Sequence, residues 1–66
     1  MIHDYKLYWK NGLSDKEILI LFFFDEMEWT FQTIAKFFKE KDVEKIRSIY
    51  RKAYMKIGGL KGVTQN

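Results

Sequence analysis

The sequence predicts an all-α fold, a small three-helix bundle with a short N-terminal helical segment, and three observations carry that prediction. Ser14-Asp15-Lys16-Glu17 reads as a capping box in front of a long apolar run, which marks a helix start. Two later segments repeat their apolar residues at i, i+3, i+4 and i+7, the spacing of one helix face. Proline is absent, and the turn signals fall at Asn11-Gly12, near Glu28, at Lys39 to Asp42 and at Gly58-Gly59.

The first segment carries Tyr5, Tyr8 and Trp9 at helical spacing and stops at Asn11-Gly12. In the second, Ile18 to Phe24 has no clear period, so the Ser14 cap is what favours a helix over a buried strand. A helix apolar on every side must be covered on every side, either as the central helix of the bundle or with Ile20, Phe23 and Phe24 against a partner chain. Thr30 then caps a helix of about two turns with Phe31, Ile34, Ala35 and Phe38 on one face. Asp42 caps a longer helix whose stripe is Ile46, Ile49, Tyr50, Ala53 and Ile57, with a stop expected at Gly58-Gly59. The expected organisation is one helix-turn-helix domain over residues 1–60 and a flexible tail over 61–66.

Sixty-six residues leave no room for a core and a catalytic cleft together. With 47% apolar and 18% aromatic residues the chain nevertheless has enough to bury. There is no cysteine, so disulfides and thiolate metal sites are excluded and a cytoplasmic setting is expected. The longest apolar run falls far short of the roughly 18 residues that span a bilayer, so no membrane association is expected. His3 is the only histidine, in an N-terminal stretch expected to fray, so no nucleophile can be paired with a base. Asp25, Glu26 and Glu28 form one carboxylate cluster, read as a solvated turn rather than a metal site. Neither an enzyme nor a cofactor is expected.

The net charge of +3 conceals a division. Residues 1–35 hold three lysines against six carboxylates, a balance of −3; residues 36–66 hold nine basic residues against three carboxylates, a balance of +6. On the last helix, at about 100° per residue, Glu44, Ser48, Arg51 and Met55 lie opposite the apolar stripe, with Arg47 on one flank and Lys45 and Lys52 on the other. A short helix, a tight turn and a longer basic helix make the helix-turn-helix arrangement, whose second helix enters the major groove of double-stranded DNA. Expected base contacts are Glu44, Lys45, Arg47, Ser48 and Arg51, since Arg and Lys donate to guanine and Glu accepts from cytosine. Lys36, Lys39, Lys41, Lys52 and Lys56 suit phosphates.

From Leu13 to Ile57 the chain resembles region four of bacterial sigma factors. LSDKEILIL is similar to that family's first helix, DEMEW to its acidic turn, TFQTIAKFF to its "x-x-x-I-A" helix, and IRSIYRKAYMKI to its recognition helix VRxIxxRAxxKL. Thr33 stands where the family carries glutamate and Lys39 where it carries the turn glycine, and the turn is one residue longer. The resemblance implies a small DNA-binding transcription regulator, phage-encoded, that reads a promoter element. It also implies a second possibility, an RNA polymerase modulator or inhibitor that uses the same fold without reading bases. For that second possibility the expected protein interface is Tyr5, Tyr8, Trp9, Ile20, Phe23 and Phe24. A homodimer on paired half-sites, and a purely structural or oligomeric role, are the further alternatives.

Overall fold

The computed structural model describes residues 3–64, with side chains over residues 3–60, and builds them into α1 (Tyr5–Lys10), α2 (Asp15–Leu21), a π-helical turn (Phe22–Glu26), α3 (Phe31–Phe37) and α4 (Val43–Thr64). No strand occurs among the described residues. Each start is set by a side chain that satisfies amides the helix itself leaves free. The Asp4 carboxylate accepts from the Leu7 amide at 3.1 Å. Ser14 Oγ accepts from the Glu17 amide at 3.1 Å while Glu17 Oε1 accepts from the Ser14 amide at 2.8 Å, completing the expected capping box. Thr30 Oγ1 accepts from the Thr33 amide, and the Asp42 carboxylate from the Glu44 amide.

α2 is the central element. Its consecutive residues Ile20 and Leu21, both fully buried, point into two different clusters. Leu21 joins Tyr8, Leu13, Ala53 and Ile57 between α1 and the later part of α4; Ile20 joins Phe23, Ile34, Ala35 and Ile46 between α3 and the start of α4. Most of the apolar run is therefore covered by its own chain, with Leu19 left exposed.

The π turn distributes three consecutive phenylalanines. Phe22 meets Tyr5 of α1 edge-on, Phe23 stacks on Trp29 at 4.3 Å between centroids, and Phe24 stacks on Phe31 of α3 at 4.2 Å. The Met27 amide bonds the Phe22 carbonyl five residues back, which widens the helix by one residue and turns Asp25 inward. Glu28 then takes a left-handed conformation (φ 59°) and the Trp29 amide returns to the Phe23 carbonyl.

Lys39 is also left-handed, at φ 56°, and the Glu40 amide closes the turn on the Ala35 carbonyl at 2.8 Å. The turn thus has glycine's conformation without glycine, at a steric cost on the order of 1 kcal/mol. Lys39→Gly is expected to raise stability by up to about 1 kcal/mol, read as a higher urea midpoint at unchanged slope. A lower midpoint would mean that the lysine side chain holds the turn in some other way.

α4 differs from expectation at its end. It continues through Gly58 and Gly59 to Thr64, because Ile57 and Leu60 pack against the cluster around Leu21 and carry the helix past two weak helix formers. The tail expected over 61–66 reaches Gln65 and Asn66, which lie outside the described residues. At 22 residues α4 is about 33 Å long, consistent with extents of 40 × 20 × 15 Å.

Candidate nucleic-acid interface

α3 and α4 pack through Ile34, Ala35 and Ile46 and are joined by the short turn over 38–42, so the two elements of the helix-turn-helix are adjacent. On α4, Ile46, Ala53 and Ile57 are buried, while Glu44, Lys45, Arg47, Arg51 and Lys52 are exposed and Ser48 is half-buried. Lys36, Lys39 and Lys41 are exposed on α3 and its turn. Among the described residues, Lys45, Arg51, Lys52, Lys36, Lys39 and Lys41 form no ion pair.

Three of the sequence-predicted contacts, Glu44, Arg47 and Lys56, also have partners within the chain. The Arg47 guanidinium lies 5.5 Å from the centre of the Phe31 ring and 3.5 Å from the Glu44 carboxylate, so both members of that pair are partly committed to each other and to α3. Lys56 bonds Glu17 at 2.9 and 3.0 Å, joining α4 to the first turn of α2 while half of its side chain stays exposed. Burial alone would raise the Glu17 carboxyl, but the Ser14 amide and Lys56 outweigh it and hold it below the usual carboxylate range.

The residues expected at a protein interface separate into two groups. Tyr8, Ile20 and Phe23 are core residues, 3%, 0% and 8% exposed, and present no surface. Tyr5 and Phe24 are half-buried, and Trp9 stands out in solvent because it is one residue off the Tyr8 face of α1. Other exposed apolar side chains include Phe37, Met27 and Leu19; Phe37 meets Phe38 edge-on, and Lys16 lies 5.2 Å from the centre of the Phe38 ring.

Behind the exposed face of α4 is a buried polar node that sequence reasoning missed. Asp25 Oδ1 accepts from the Tyr50 hydroxyl at 2.5 Å; Oδ2 accepts from the Tyr54 hydroxyl at 2.5 Å and from His3 Nε2 at 2.6 Å. His3 Nδ1 is 2.9 Å from the Tyr8 hydroxyl. With Asp25 ionised and therefore acceptor-only, Nε2 carries a proton. Neither end of the expectation for these residues holds: His3 is 6% exposed, not frayed, and the Asp25 side chain is buried, not part of a solvated turn. Burial by itself raises the Asp25 carboxyl, but the bonds from His3, Tyr50 and Tyr54 together outweigh it and hold it below the usual range. Burial and Asp25 push the Tyr50 and Tyr54 hydroxyls up; burial also raises Tyr8, and burial with the adjacent Glu26 raises Tyr5. The Tyr5 hydroxyl and Glu26 Oε2 are buried without completing a hydrogen bond. The available signal was two tyrosines four residues apart on the edge of an apolar stripe, whose hydroxyls need partners when buried.

No known protein family, curated protein or solved structure matches this chain.

Proposed function

We propose that the chain is a small DNA-binding transcription regulator that presents the first half of α4 to the major groove. The observation that carries this reading is the division of α4, with its apolar side sealed against α2 and α3 and its opposite side exposing Lys45, Arg51 and Lys52 without ion-pair partners among the described residues. Lys36, Lys39 and Lys41 extend the positive surface onto α3 and the turn, where phosphates flank a docked helix. Its resemblance to sigma region four supports the same surface. Because Arg47 is partly held by Glu44 and Phe31, Lys45 and Arg51 carry more of the proposed readout than Arg47 does.

The test is selection from a pool of random duplexes at several salt concentrations. Lys45→Ala is expected to relax the selected motif at a cost of about 1–3 kcal/mol, and Lys36→Ala to weaken all sequences alike and flatten the salt slope by about one. Identical losses on every sequence for both variants would remove base readout, and no retention at low salt would remove DNA.

A second reading, a modulator of RNA polymerase, is favoured by one observation, the exposed apolar surface at Phe37, Met27 and Leu19. Phe37→Asp is the suitable probe, since Phe23 belongs to the core. Co-purification of polymerase with the tagged chain, abolished by Phe37→Asp, supports this reading; retention by neither form counts against it.

A further inference from the structure

We propose that His3 and Asp25 form a proton-operated lock on α4, so that protonation of His3 tightens the hold on the helix that presents the DNA-facing residues. This proposal rests on the DNA-binding reading for its consequence, but the lock itself is a property of the fold.

Among the described residues, Asp25 receives side-chain hydrogen bonds from both the N-terminal segment and α4, His3 from the first and Tyr50 and Tyr54 from the second. Tyr50 lies one turn beyond Arg47 and next to Arg51, so fixing its hydroxyl fixes the rotation of the exposed face. Among the described residues, the titratable groups around the imidazole are few. From α1 they are Tyr8, bonded to Nδ1, and Tyr5, whose ring centre is 5.5 Å away with Glu26 beyond it. From the π turn there is Asp25, and from α4 there is Tyr54, whose oxygen is 3.2 Å from Nε2. Asp4 follows in the chain and caps α1. No lysine or arginine pairs with Asp25 among the described residues. With its carboxyl held down Asp25 stays charged near neutrality, and with theirs pushed up the Tyr50 and Tyr54 hydroxyls stay neutral there.

With a neutral ring, Nε2–H donates to Asp25, Nδ1 accepts from Tyr8, and the node holds an uncompensated buried carboxylate. When Nδ1 gains a proton, the bond to Asp25, already assisted by the charge on the carboxylate, becomes one between opposite charges in a site screened from water, and their mutual attraction adds to it. Tyr8 then accepts from Nδ1, and its own proton turns elsewhere. Asp25 is then held by the imidazolium on one side while it receives Tyr50 and Tyr54 on the other, so the N-terminal segment is tied more firmly to α4.

The experiment follows His3 ring resonances by NMR across pH in the full chain, without an N-terminal tag, alongside affinity for a duplex enriched from the random pool. His3→Gln keeps a hydrogen-bond donor without a titrating charge, and Tyr54→Phe removes one arm of the node while leaving the fold's apolar contacts. In the wild type the Tyr50 and Tyr54 ring signals and duplex affinity are expected to shift with the same midpoint as His3, by several-fold in affinity, with tighter binding in the protonated state. The difference from wild type should vanish in His3→Gln at high pH and persist at low pH. Matching pH profiles for wild type and His3→Gln, in tyrosine signals as in affinity, would overturn the lock. If no duplex is bound at all, the tyrosine signals alone decide: coupling to His3 upholds the lock while the DNA reading fails, and its absence removes both.

Discussion

Asp25→Ala is expected to leave the domain largely unfolded at room temperature. The substitution takes away the shared acceptor of His3 Nε2, which is buried, of the Tyr50 hydroxyl, which is half-buried, and of the hydroxyl of the more exposed Tyr54. Breaking a buried ionic node by removing one member costs about 3–5 kcal/mol, because the partners stay desolvated. A chain of this length has a total stability of only about 3–10 kcal/mol. Asp25→Asn keeps one acceptor oxygen and should lose less, about 1–3 kcal/mol. Urea unfolding followed by circular dichroism reads both. A midpoint for Asp25→Ala close to that of the wild type would mean that water replaces the carboxylate and that the node contributes little.

The second large effect is alkaline unfolding in which all four tyrosines ionise together. Tyr5, Tyr8, Tyr50 and Tyr54 are the chain's complete set, and every one is raised above its ordinary value. The folded state therefore holds these protons more tightly than the unfolded chain, where a tyrosine loses its proton near pH ~10. The stability they contribute is fully present below that pH and falls as pH rises toward the folded values, by up to about 1.4 kcal/mol per pH unit for each well-buried hydroxyl. Tyr54, the most exposed, counts least. Phenolate absorbance and helical circular dichroism should change in one transition above the ordinary tyrosine range. Gradual phenolate absorbance beginning near pH 10, with helix content intact, would contradict the burial of these hydroxyls. Asp25 and Glu17 have the opposite sign: their carboxyls are lowered, so their contribution is present above the ordinary carboxylate range and lost as pH falls below it.

The helices were legible because their ends are local events. Ser14, Thr30 and Asp42 each cap within three residues of themselves, and the stripes on α3 and α4 follow a single period. What escaped the sequence is non-local. The run from Ile18 to Phe24 shows no period because it is buried on several sides and crosses from an α to a π turn, where no fixed spacing applies. The continuation through Gly58-Gly59 depends on Leu60 finding the cluster around Leu21, a contact across the whole domain. The exposed face of α4 was readable from helical phase, but the capture of Arg47 by Phe31 and of Lys56 by Glu17 was not, since each joins two helices. His3, Asp25 and Tyr54 are separated by 22 and 29 residues, and nothing in their immediate neighbourhoods marks them as a set.

Those separations govern the order of events in folding as well. The helices can nucleate from their own caps, whereas the contact from His3 to Tyr54 closes a loop of 51 residues and must wait for α2 and α4 to meet. Interactions formed after the rate-limiting step do not speed folding; they slow escape from the native state. The bonds from His3 to Asp25 and Tyr54 are thus expected to fasten late, and to bear on how long the folded domain lasts more than on how fast it forms.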